Sequence, residues 1–139
     1  MSGRKKSVIS KASPHTIKKF ELIEEYIKSW AQKLLLTESC NGLIFIDCMC
    51  NSGVYTDDSG QLVKGTAVRV SEALREAART YTEKNIHIYL NDKDKARVDE
   101  LKNHLPQDER NFKIVTSRGD AHELLRTIGP QLYGTGHLH

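Results

Sequence analysis

Leu43-Ile44-Phe45-Ile46-Asp47-Cys48-Met49-Cys50-Asn51-Ser52-Gly53 is the stretch on which the reading of the whole chain turns. Four apolar residues in a row, apolar on both faces when extended, suit a parallel strand covered on both sides, although so short a run also fits a buried helical segment. The flanks favour the strand. Asn41-Gly42 breaks the preceding pattern, and Asn51-Ser52-Gly53 turns the chain immediately afterwards.

Upstream, Ser13-Pro14 starts a helix. The serine oxygen can accept from a free amide, and proline at the first helical position gives up an amide that had no partner. Ile17, Phe20, Ile23, Ile27, Trp30 and Leu34 then recur at steps of three and four, which predicts one apolar stripe on a long N-terminal helix.

Downstream, Tyr55 to Lys64 reads as a polar loop containing Asp57-Asp58-Ser59-Gly60. Gly65-Thr66 follows, where threonine is placed to cap a helix bearing Ala67, Val70, Ala73, Leu74 and Ala77. A second apolar run, Ile86 to Leu90, stops at Asn91-Asp92. A charged helix with Ala96, Val98, Leu101 and Leu105 ends before Pro106. A third run, Phe112 to Val115, stops near Gly119-Asp120, and Ala121 to Ile128 reads as a short helix. This alternation predicts an α/β fold: a Rossmann-like doubly wound parallel sheet, incomplete at about three strands, preceded by the long helix.

Charge divides the chain. The net charge is +3, yet six of the 21 basic residues, Arg4, Lys5, Lys6, Lys11, Lys18 and Lys19, lie in a leading segment without Asp or Glu, and the remainder is net acidic. Residues 1–12 therefore read as a basic flexible arm and 13–139 as the folded part. The arm could attract the phosphates of nucleic acid, or simply keep the terminus solvated. No stretch reaches the roughly 18 apolar residues of a membrane span, and there is no apolar core of a secretory signal, so a cytoplasmic location is expected. Cys40, Cys48 and Cys50 form no CxxC pair and read as reduced thiols. They give no reason to expect a metal site.

In a doubly wound sheet, ligands bind outside the carboxyl ends of the strands, which directs attention to Asp47 through Gly53, Asn91-Asp92 and Gly119-Asp120. Asp47 can hold an ammonium or hydroxyl group, and Gly53 lets the backbone approach a ligand. The turn is a poor dinucleotide fingerprint, because Asn51 stands at the place of the first glycine. Asp92 is placed to accept from both hydroxyls of a ribose, and Asp120 from the exocyclic amine of adenine. Each of these acids could instead cap the helix that follows it, as could Asp94. An EF-hand reading of Asp92 and Asp94 fails, since Ala96 and Asn103 stand where further ligands belong.

Several of these features together resemble the three-Cys-motif partner proteins: Pro14-His15-Thr16 with Lys19; the helix through Tyr26 and Trp30; Ile46 through Tyr55; Gly65-Thr66-Ala67; and Leu90-Asn91-Asp92-Lys93-Asp94 with Arg97. That bacterial and phage-associated family resembles S-adenosylmethionine-dependent methyltransferases and is encoded beside a three-cysteine-motif protein. The similarity spans about residues 13 to 125. It implies S-adenosylmethionine as cofactor, with Asp47 and Gly53 at the methionine end, Asp92 at the ribose and Asp120 at the adenine. It also implies a three-cysteine-motif protein as partner.

Two departures stand out. Met49, Cys50 and Asn51 replace the Phe, Ala and first Gly of the family's first loop, and the Asp-Pro-aromatic catalytic motif of such enzymes has no counterpart here. The expectation is thus the cofactor-binding half of a methyltransferase-like protein with unknown acceptor and no catalytic residue to name. The alternative is a non-catalytic interaction module of a phage or mobile-element gene pair. Leu43 to Ile46 are moreover too apolar for an exposed sheet edge, so the chain reads as truncated, as a split gene product, or as completed by another protomer.

Overall fold

The computed structural model describes residues 8–135, and the side chains of residues 8–128. Strand β1 (Ser10–Lys11) leads directly into helix α1 (Pro14–Leu35), capped as expected by the Ser13 hydroxyl, which accepts from the Thr16 amide at 3.2 Å. Phe20, Ile27, Ala31 and Leu35 are its buried residues, whereas Ile23 of the expected stripe is 41% exposed. The apolar face of α1 is wider than what covers it.

Strand β2 (Gly42–Asp47) follows, then β3 (Val54–Thr56) and β4 (Leu62–Lys64), helix α2 (Thr66–Thr80), β5 (Asn85–Asp92), α3 (Lys95–Lys102), β6 (Phe112–Arg118) and α4 (Ala121–Thr135). The three long strands make one parallel sheet in the order β2-β5-β6, with Ile46 beside Tyr89 and Tyr89 beside Val115. Helices α2 and α3 supply the crossovers that parallel neighbours require. The molecule is thus α/β, as its alternation of runs implied.

The two faces of this sheet differ. Leu43, Ile86, Ile88, Leu90 and Phe112 are at most 2% exposed and share a core with Ala31, Leu35, Val70, Leu74, Ala78 and Leu101. Fully burying side chains of this size is worth about 1.5–3 kcal/mol each, which makes this layer the main source of stability. The alternate residues Ile44, Ile46, His87 and Tyr89 are only half-buried, and Val115 is 45% exposed. Helix α4 lies on that side and leaves a cleft of about 490 Å³ against Tyr89, Asn91, Val115 and Ser117.

Two expectations are corrected. The segment read as a polar loop is a hairpin: β3 and β4 pair antiparallel around Asp57-Asp58-Ser59-Gly60, where the Asp57 carboxylate accepts from the amides of Ser59 and Gln61. The boundary of the arm at residue 12 also moves. Ser10-Lys11 pair in parallel with Tyr55-Thr56, and Ala12, 3% exposed, donates its amide to the Thr56 carbonyl at 2.8 Å. Residues 1–7 of that arm, with Arg4, Lys5 and Lys6, lie outside the described residues.

Smaller differences have local causes. Thr66 does not cap α2. It is the first helical residue, and Gly65 occupies the capping position because the Tyr55 ring lies where a side chain there would have to go, 2.4 Å from an added Cβ. Helix α4 runs past Ile128 and through Pro130 to Thr135. Among the described residues no helix is long and apolar enough to cross a membrane.

Candidate functional site

The carboxyl ends of β2, β5 and β6 rise together on one side of the sheet, and hydrogen bonds join the loops that leave them. Cys50 donates its amide to the Asn91 carbonyl at 2.9 Å, and Gly119 donates to the Asp92 carbonyl at 3.0 Å. Asn91, 2% exposed, completes the connection. Its Nδ2 donates to the carbonyls of Cys48 (3.2 Å) and Gly119 (3.0 Å), while its Oδ1 accepts from the Ser117 hydroxyl at 2.9 Å. One amide side chain therefore ties all three strand ends together. Its place at a strand end marked Asn91 for inspection, but nothing in periodicity reveals a buried amide in this role.

Asp92 is 7% exposed, and neither of its carboxylate oxygens is idle. Oδ2 accepts from the Asn51 amide at 2.8 Å, across 41 residues of chain, and Oδ1 accepts from the Asp94 amide at 3.0 Å. This carboxylate thus fixes the first loop to the second strand. The helix cap beside it is Asp94, which accepts from the Ala96 amide at 2.9 Å. Asn51, held by Asp92, is the one non-glycine residue with positive φ (60°) among the described residues. Asparagine tolerates that conformation better than most side chains do, and its own Oδ1 accepts from the Ser52 amide.

Gly53 has φ 86°, and a Cβ there would meet Leu101 Cδ1 at 2.4 Å and Val68 Cγ2 at 3.0 Å. Glycine is required because the loop nests onto α2 and α3. Gly53 is buried, so its close approach is to these side chains rather than to an open ligand surface.

Asp47 sits differently. It is half-buried at the end of β2 and accepts one bond, from the Met49 amide at 3.1 Å. Burial pushes its carboxyl above the ordinary range; the Met49 amide opposes this and the charge of Asp92 adds to it. No Lys or Arg forms an ion pair with Asp47 among the described residues. The same carboxylates act on the thiols: burial first, then Asp47 and Asp92, raise Cys50 to about 12, and burial with Asp47 raises Cys48.

Tyr55 belongs to this neighbourhood although its residue type carried no role in the sequence. Its ring packs on Phe20 at a centroid distance of 4.9 Å and covers Gly65. Burial raises its hydroxyl, a hydrogen bond with the Asn51 side chain lowers it, and Asp47 and Arg97 act in opposite senses. Asp120 is exposed, starts α4 by accepting from the His122 amide at 2.8 Å, and borders the cleft beneath that helix. Asp47, Asp92 and the Asn51-Gly53 loop are therefore drawn into one polar group, with Asp120 at its rim. Among the described residues no set of three His, Cys, Asp or Glu side chains is placed to hold a metal. Comparison with protein-family models, curated proteins and solved structures finds no match.

Proposed function

We propose that this crest is the cofactor-binding half of a Rossmann-like, S-adenosylmethionine-dependent methyltransferase-like protein of the three-Cys-motif partner type. The observation that carries the reading is Asp47: a half-buried carboxylate, raised by burial and by Asp92, with no cationic side chain paired to it among the described residues. A buried carboxylate in that condition is stabilised by an incoming positive charge, and the amino and sulfonium groups of the cofactor supply one. Asp120, exposed at the next strand end, is available to the exocyclic amine of adenine. Bound there, the cofactor would contribute the electrophilic sulfonium methyl. The residues of this chain would bind and orient it, and none of them is assigned to the transfer step.

Asp92 fits the ribose role less simply. Its oxygens already accept from Asn51 and Asp94, so ribose hydroxyls would have to share the remaining lone pairs. That observation favours a second reading, a non-catalytic interaction module that keeps the fold while its acids serve the loops. A three-cysteine-motif protein is the proposed partner under either reading, and nucleic acid is a further candidate through the basic arm.

Titration calorimetry of S-adenosylhomocysteine, the demethylated product, against the wild-type chain and Asp47→Asn separates the two. Micromolar binding weakened at least tenfold in Asp47→Asn supports the cofactor site. Absence of binding to folded, monodisperse wild-type chain refutes it and leaves the module.

A further inference from the structure

Strand β2 has a single strand neighbour, β5; along its other edge no strand is present among the described residues. Soluble proteins usually blunt such an edge with a charge, a proline or a bulge. The opposite edge strand, β6, does so with exposed Lys113 and Arg118. Strand β2 does not. Gly42 to Ile46 carry no charge, and the strand pairs with β5 in unbroken register over all six of its residues. Its second-face residues Ile44 and Ile46 are half-buried and continue the incompletely covered surface of Tyr89 and Val115.

The charges at the two ends of this edge are opposite. Asp47 closes the carboxyl end without an ionic partner among the described residues. At the amino end the Lys84 ammonium sits over the chain entering β2, donating to the carbonyls of Thr37 (3.0 Å) and Cys40. A neighbour running antiparallel along β2 brings opposite ends together, whereas a parallel copy would bring like ends together.

We propose that β2 is the seam of a twofold homodimer, in which β2 of one copy pairs antiparallel with β2 of a second. With the axis at Phe45, Ile44 of each copy faces Ile46 of the other on the same side of the sheet, Phe45 faces its own counterpart, and Asp47 of each approaches Lys84 of the other. The contact is isologous and therefore closed. It yields one six-stranded sheet, β6-β5-β2-β2-β5-β6, whose remaining edges among the described residues are the two β6 strands that already carry Lys113 and Arg118. A dimer through β6 would instead bury those charges and leave the apolar edges open. The inference goes beyond the cofactor reading but draws on the same Asp47, so oligomeric state and cofactor binding are measured separately.

Sedimentation equilibrium of the full chain, with amide hydrogen exchange of β2, tests the proposal. Expected are a dimer in the micromolar range, slow exchange along both edges of β2, and dissociation at least tenfold easier in Ile44→Lys and in Lys84→Glu. Circular dichroism checks that each variant is folded, and Lys84→Glu, which alters a half-buried side chain beyond the end of the edge and no residue of β2 itself, carries the test should Ile44→Lys fail to fold. A monomer at high micromolar concentration overturns the proposal. So does a dimer indifferent to both variants, or open-ended association that grows with concentration.

Discussion

Replacing Asn91 by Asp alters one group in a side chain of unchanged size, and it reverses the polarity of the contact that holds the strand ends together. The Nδ2 group now donates to the carbonyls of Cys48 and Gly119 from a position 2% exposed to solvent. In Asn91→Asp those carbonyls would face a carboxylate oxygen. Each buried polar group left without its partner costs about 1–3 kcal/mol, and the new charge is itself buried. A loss of about 3–5 kcal/mol at pH 7 is therefore expected. For a domain of this size that corresponds to a fall in Tm on the order of 10–20 °C.

The pH dependence gives the sharper check. Facing carbonyls and buried, the introduced carboxyl has a folded pKa above its unfolded value of about 3.9. The penalty is present in full at pH above the folded pKa and falls as pH drops from there through the unfolded value, because the protonated group is neutral and can donate to one of the two carbonyls; the cost of the second carbonyl remains. The stability deficit of Asn91→Asp relative to wild type should thus shrink steadily from pH 7 toward pH 4. Denaturant unfolding of both proteins across that range measures it. A deficit under about 1 kcal/mol at pH 7, or one that grows on acidification, refutes the assignment of Asn91 as the donor joining the loops.

Four further outcomes are expected. Gly53→Ala should lower stability by about 2–3 kcal/mol in thermal unfolding, since a Cβ would lie 2.4 Å from Leu101 in a backbone of φ 86°. Ser13→Ala removes the oxygen that accepts from Thr16 and should cost about 0.5–2 kcal/mol, toward the low end at this exposed site, measured by chemical denaturation. With its thiol raised to about 12, Cys50 should resist alkylation in the native chain at pH 8 and react only on unfolding, as peptide mass spectrometry would record. Since the unfolded thiol ionises near pH 8.5 and the folded one does not, Cys50 should also make the chain less stable as pH rises above about 9.

The architecture was largely legible in the sequence, because the runs at Leu43, Ile86 and Phe112 are long enough for burial to decide their state. The hairpin was not. Val54-Tyr55-Thr56 and Leu62-Val63-Lys64 are only three residues each, too few to show alternation, and their pairing depends on the Asp57 turn and on Ser10-Lys11 arriving from a distant part of the chain. Ile23 was overread for a related reason: helical periodicity marks an apolar stripe but not the width of what covers it. At the candidate site the acids were found by position, at strand ends. Their present hydrogen bonds could not be read, because a carboxylate that accepts from an amide 41 residues away, as Asp92 does, leaves no spacing in the sequence. The joining role of Asn91 and the packing of Tyr55 could not be read for the same reason.

The joined strand ends have a kinetic consequence. The amides of Cys50 and Asn51 are held by Asn91 and Asp92, and that of Gly119 by Asp92, so none can open to water without disturbing the same short stretch of β5. Loops that would otherwise fluctuate separately, each on its own timescale, should open as one unit. Anything that binds at one of the three strand ends would then slow the motion of the other two.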